Sequence, residues 1–121
     1  MKKYSFFSLV FFLILITGCG TSQSRSIYYW DGAYTKATYK YLSQDYDASE
    51  QMAQLEQTIQ KAYEKGAKVP PGLYAHLGLL YSNAGNLTQA NAYFEKEVRE
   101  YPESREFIAF LLSDKNKKAK K

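Results

Sequence analysis

A lone thiol, a lone imidazole, a run of carboxylates and a crowd of phenol rings are the groups in this sequence that could do chemistry. The thiol is Cys19, which follows Ile16-Thr17-Gly18 at the end of the apolar run Phe6 to Ile16. With no second cysteine there is no internal disulfide, so the fold must rely on packing. The imidazole is His76, set among Tyr74, Ala75 and Leu77. No other histidine can join it and zinc-ligand spacings are absent, so it predicts a partly buried residue hydrogen-bonded to a neighbouring loop. A glycine-rich phosphate loop is missing too. The expectation is therefore no metal, no cofactor and no enzymatic activity. Glu95, Glu97 and Glu100 supply the carboxylates that a glycan-cleaving pair would need. Their neighbours argue for a simpler use. Glu95 with Arg99, and Lys96 with Glu100, have the four-residue spacing of exposed ion pairs, each contributing about 0.2–0.5 kcal/mol. The phenols gather near the start, where Tyr28, Tyr29, Trp30, Tyr34, Tyr39, Tyr41 and Tyr46 place seven rings within nineteen residues. They are too many to face one small core, which predicts a division between core and protein contact. A glycan-stacking platform is the other use for such rings.

The elements that position these groups begin with a leader. Lys2 and Lys3, an apolar run and small residues at its end are the parts of a secretory signal. A spanning helix needs about 20 apolar residues, and this run is shorter and stops at Gly18-Cys19-Gly20. Ile16-Thr17-Gly18-Cys19 resembles the lipobox of bacterial lipoproteins. That resemblance implies cleavage between Gly18 and Cys19, with diacylated Cys19 as the new N-terminus. Each buried methylene adds about 0.8 kcal/mol, so two or more chains such as palmitate hold far more firmly than one. Gly20, where an aspartate would resemble an inner-membrane retention signal, implies sorting to the outer membrane and a domain that faces the periplasm. The chain thus divides into a signal peptide (1–18), a polar tether rich in Ser and Gly (19–26), a folded domain (27–113) and a lysine-rich disordered tail (114–121).

Charge narrows the partners. The formal net charge is +4, but the leader and the tail carry seven of the sixteen Lys and Arg. Residues 19–113 keep nine against eleven Asp and Glu, which makes the domain slightly acidic and argues against nucleic acid. The tail reads chiefly as solubilising, with contact to anionic headgroups as its other use.

Hydrophobic spacing predicts an all-α domain. Ala33 to Gln44 is the first helix, and Asp47 with Glu50 has the spacing of a capping box ahead of the second. Met52, Leu55, Ile59, Ala62 and Tyr63 form the buried stripe of that second helix, which Gly66 ends. Val69-Pro70-Pro71-Gly72 forces an extended connection, with Pro71 in the first turn of the third helix. Leu73, Leu77, Leu80, Tyr81 and Ala84 share a face there, and Gly85-Asn86 makes the turn. Asn86 or Thr88 caps a fourth helix carrying Ala90, Phe94, Val98 and Tyr101. Pro102 breaks it and opens a short last helix with Phe107, Phe110 and Leu111 on one side.

Residues 71–104 resemble a tetratricopeptide (TPR) repeat: Tyr74, Leu77-Gly78 and Tyr81 in the first helix, Ala90 and Phe94 in the second, and Pro102 at the close. The resemblance implies antiparallel hairpins, about two units plus a C-terminal capping helix, with Gly78 and Ala90 small where the helices approach. Glu97 stands where the family prefers a small residue, which predicts a looser contact with the following helix. Tyr29-Trp30-Asp31-Gly32, Val69-Pro70-Pro71-Gly72-Leu73-Tyr74-Ala75-His76-Leu77-Gly78, Glu95-Lys96-Glu97 and Tyr101-Pro102-Glu103-Ser104 also resemble a domain-of-unknown-function family of small bacterial lipoproteins. Its members are often encoded beside a lipoprotein similar to the curli secretion channel. That resemblance implies an accessory of an outer-membrane secretion or assembly system, anchored by lipid and bound to an envelope protein. Trp30, Tyr74, Tyr81 and Asn83 are the expected partner contacts. The other reading is a cell-wall lipoprotein that activates a peptidoglycan synthase or binds glycan.

Overall fold

A computed structural model of the chain describes residues 26–119 and, in the leader, positions 2–4, 7 and 10. The expected cleavage and lipidation positions, Gly18 and Cys19, and residues 20–25 of the tether lie outside the described residues. Among the described residues, no helix is long and apolar enough to cross a membrane.

The fold is all-α. Helices α1 (Ala33–Leu42), α2 (Ala48–Glu64), α3 (Leu73–Asn83), α4 (Leu87–Glu100) and α5 (Arg105–Ala119) follow one another, with a 3-10 turn (Pro102–Ser104) before the last. Short connections fold α1 back on α2 and α3 back on α4 as helical hairpins. The start of each helix has a local cause. Asp47 caps α2 by accepting from the Glu50 N–H at 2.9 Å, while Glu50 turns its own carboxylate to Gln54. Only half of the expected capping box forms. Asn86, rather than Thr88, caps α4 through the Gln89 N–H. Before α3, Gly72 takes a left-handed conformation (φ 91°), so the helix begins at Leu73 and Pro71 lies outside its first turn. Proline cannot reach that φ, and glycine adopts it freely.

The core runs along α3, of which every residue from Leu73 to Leu80 except Leu79 is buried. Leu55, Ile59 and Ala62 of α2 and Ala37 of α1 close on one side of it. Ala90 and Phe94 of α4, with Ile108 of α5, form a second cluster around Ala75. The segment before α1 is pinned as well. Tyr28 pairs with Lys68 in an isolated parallel bridge, with Tyr29 N–H donating to the Lys68 carbonyl and Lys68 N–H to that of Ile27. Sequence periodicity showed no extended segment there, because a bridge this short leaves no alternation to detect.

The C-terminal end differs from expectation twice. Helix α5 continues through Ala119 where a disordered tail from Asp114 was expected. Lysine and alanine are good helix formers, and Asn116 and Lys117 stay solvent-exposed on the extended helix. Within α5 the residue turned into the core is Ile108, whereas Phe107 and Phe110 are exposed.

Candidate functional site

Three aromatic groupings surround α3, and their hydrogen bonds separate interior rings from available ones. The first joins α2, α3 and α4. Glu56 of α2 accepts from the hydroxyls of Tyr81 (2.6 Å) and Tyr93 (3.0 Å) through one carboxylate oxygen. Tyr81 stacks on Tyr93 at 5.6 Å between centroids, and Tyr93 stacks on Tyr74 at 6.3 Å. The Tyr74 hydroxyl then meets that of Tyr63 at 2.6 Å. Lys96 lies over Tyr74 and Tyr93, where its charge faces the negative faces of the rings. The sequence suggested Glu100 as its partner. The bond to Glu56 pushes the Tyr81 hydroxyl up to about 12, because a neighbouring carboxylate opposes ionisation of the phenol. Burial, followed by the same carboxylate, raises Tyr93. Tyr74 is raised by burial first and then by its bond to Tyr63.

The second grouping holds His76. Its ring lies 5.2 Å from Tyr41, edge-on, and 6.2 Å from Tyr34. Nε2 is buried with no hydrogen-bond partner, so the expected bond to a loop does not form at that nitrogen. Burial lowers the His76 pKa by disfavouring the imidazolium. Among the described residues, no group of three His, Cys, Asp or Glu is placed to hold a metal ion.

The third grouping is exposed. Trp30 is 52% accessible and stacks on Tyr34 at 6.2 Å. Its platform is fixed by neighbours. Asp31 accepts from the Ala33 N–H and from the Thr58 hydroxyl, both at 3.0 Å, tying the turn before α1 to α2. Lys65 covers the adjacent Tyr29 ring at 4.9 Å. Ile27, Tyr39 and Leu42 are exposed as well, so the segment before α1 and α1 itself offer large apolar side chains.

These placements revise the expected contact set. Trp30 is on the surface, but Tyr74 is only 2% exposed and belongs to the interior. Tyr81 is half-buried with its hydroxyl committed to Glu56. Asn83 is exposed and donates to the Tyr41 hydroxyl at 3.2 Å. Two turns apart, positions 74 and 81 share the face of α3 that meets Tyr93, whereas Asn83 lies on the opposite side of the helix.

The residue that sequence reasoning misread is Glu97. Instead of loosening the next contact, it is fully buried and holds three elements together. Its carboxylate accepts from the N–H groups of Gly72 (2.8 Å) and Ala75 (3.3 Å) at the start of α3, and from the Ser104 hydroxyl (3.0 Å) before α5. Gly72 has no side chain to cap α3, so Glu97 supplies from α4 the oxygen that a serine or aspartate cap would provide. The negative charge also suits the positive end of the α3 dipole. Positions 90, 94, 97 and 101 form one inward stripe, and a carboxylate within it was the available signal. Beside it, the Tyr101 hydroxyl donates to the Val69 carbonyl.

The hairpins and their pinned N-terminal segment thus define a small helical domain. The family model described as Domain of unknown function (DUF4810) matches residues 27–111, and the chain belongs to that family. No curated protein and no solved structure matches the chain.

Proposed function

We propose that this protein is a lipid-anchored lipoprotein of the bacterial outer membrane that faces the periplasm and binds another envelope protein. In this reading it is an accessory of a secretion or assembly system, with a curli-channel-like lipoprotein as the candidate partner. The observation that carries the reading is the exposed Trp30 on its braced platform, a short tether away from the lipobox-like Ile16-Thr17-Gly18-Cys19. Residues 20–26 reach at most about 25 Å when extended. Trp30 would therefore work close to the membrane that holds Cys19. Tryptophan is enriched at interface hot spots because one ring buries a large area, and a ring held in place loses little freedom on binding. The TPR-like spacing at Leu77-Gly78, Tyr81, Ala90 and Phe94 supports a docking role for the hairpins.

Activation of a peptidoglycan synthase, or glycan binding, is the second reading. The near-parallel Trp30–Tyr34 pair, inclined at 22°, favours it by presenting a flat aromatic face that sugars can stack against.

A photo-crosslinking residue at position 30 in the full chain, expressed in its own envelope, separates these readings. A protein adduct, accompanied by globomycin-sensitive processing at Cys19, is the expected result. Binding to purified sacculi that Trp30→Ala abolishes, with no protein adduct, would move the assignment to the cell wall. An unacylated, freely diffusing chain would overturn the anchored reading.

A further inference from the structure

The segment that carries Trp30 and α1 is held to the domain differently from the rest of the chain. Of residues 26–50 only Ala37 is buried, whereas α3 buries seven of its eleven residues. Hydrogen bonds fasten the segment instead. At its start, the Tyr28–Lys68 bridge and the bond from Thr58 to Asp31 form a latch. Midway, the Gln51 amide donates to the Ala37 carbonyl and the Asn83 amide to the Tyr41 hydroxyl, both at 3.2 Å. At its far end Gln44 takes φ 58°, a left-handed conformation that residues other than glycine seldom adopt. Two polar atoms beneath α1 add to this strain. Gln51 Oε1 on α2 and His76 Nε2 on α3 are buried without a hydrogen-bond partner. Both residues pack against the side of α1 that holds Tyr34, Ala37 and Tyr41.

We propose that residues 27–44 form a strap that swings away from α2 and α3 as one unit, hinged in the connection 43–47 and latched through Lys68 and Thr58. Opening relieves three costs of the closed state. Gln51 Oε1 and His76 Nε2 regain water, and Gln44 leaves its left-handed conformation. Against these stand one buried alanine, the half-buried rings of Tyr34 and Tyr41, and the hydrogen bonds just named. The body keeps its own core when the strap leaves, because Leu55 and Ile59 of α2 pack with Leu73, Leu77 and Leu80 of α3. Few buried apolar contacts and exposed backbone are the marks of a segment that opens below the cost of global unfolding. Tyr34 rides on the strap and Trp30 stacks on Tyr34, so that aromatic face is whole only in the latched state. A molecule that grips the face therefore holds the strap shut. The opening itself is a property of the chain alone, so its test stands apart from the adaptor reading.

The test is native-state hydrogen exchange of the full chain, purified in detergent and read amide by amide across low urea concentrations. The Tyr29 amide and those of residues 37–42 should share one opening, weakly dependent on urea, and exchange about tenfold or more faster than the α3 amides. Thr58→Val unhooks Asp31 and should speed the strap amides about fivefold, the loss of one hydrogen bond. His76→Phe removes an orphaned atom and should slow them by a similar factor. Phe94→Leu weakens only the body, so it should speed the α3 amides and leave the strap opening unchanged. Strap and α3 amides that follow one urea dependence, or that Phe94→Leu moves alike, would overturn the proposal. So would protection that fades residue by residue with no shared opening, or strap exchange indifferent to Thr58→Val and His76→Phe.

Discussion

Inside the α3–α4 hairpin the helices meet by removing atoms. A Cβ added to Gly78 would lie 2.5 Å from the Phe94 ring and 3.1 Å from the Ala90 carbonyl. Across the seam of α2 with that hairpin they meet by adding rings and hydroxyls, with Tyr81 of α3 and Tyr93 of α4 converging on Glu56 and Tyr63 meeting Tyr74. Each seam has one carboxylate at its centre. Glu97 is fully buried on two backbone donors and the Ser104 hydroxyl, whereas Glu56 is half-buried on phenols. The difference teaches that the first seam is intolerant of volume and charge loss, while the second is a polar lattice that gives way gradually.

The largest effect should come from Glu97. Glu97→Ala strands the part-buried N–H of Gly72 and the buried N–H of Ala75, each loss worth about 1–3 kcal/mol. A fall of about 3 kcal/mol in unfolding free energy by urea titration is expected. Glu97→Gln keeps an acceptor there and should lose about half as much. Gly78→Val comes next. Overpacking against Phe94 should destabilise by about 2 kcal/mol, and Phe94→Leu should recover part of that in a double-mutant cycle. Glu56→Gln tests the other seam, with an expected loss of about 1 kcal/mol. Absorbance at 295 nm should then show Tyr81 ionising at lower pH than in the parent chain, where the Glu56 carboxylate holds it near 12.

The smallest effect is one of pH. Burial depresses the His76 pKa in the folded chain, so the unfolded chain binds the extra proton first as pH falls below about 6.5. Stability contributed by neutral His76 is thus present above the unfolded pKa and declines as pH drops through it toward the folded value, by at most about 1.4 kcal/mol per pH unit. His76→Phe should flatten that part of the stability profile between pH 7 and 5. An unchanged slope would place the imidazole in water instead of between Tyr34 and Tyr41.

The two seams also differ in how much of them the sequence discloses. Leu77-Gly78, Tyr81, Ala90, Phe94 and Pro102 lie within one hairpin, where helical period and small-residue spacing suffice to infer the close approach. Glu56 finds its phenols 25 and 37 residues away, and Glu97 reaches back to Gly72 and Ala75 from 25 and 22 residues downstream. Local periodicity contains nothing about such distant pairings. It marks Glu97 as an inward charge without saying what meets it. Position 72 shows a related blind spot. Pro71 is a sound first-turn residue by type, and only the left-handed turn at Gly72 moves the start of α3 beyond it. On α5, periodicity grouped Phe107, Phe110 and Leu111 on one side, but Leu111 packs partly buried against the cluster around Ile108 while both phenylalanines are exposed. The aromatic surplus near the N-terminus was legible as a surplus. Its division, with Tyr34 and Tyr41 against His76 and Trp30 outside, required coordinates.

That division is the core of the account: interior tyrosines hold the array, and surface rings are left to meet partners. Hydroxyl-radical footprinting of the full chain, purified in detergent and in its native envelope, reads it directly. Trp30, Phe107 and Phe110 should oxidise far faster than Tyr74 in the purified chain, and Trp30 should become protected in the envelope. Oxidation of Tyr74 at a rate comparable to Trp30, or a Trp30 equally reactive in both settings, would contradict it.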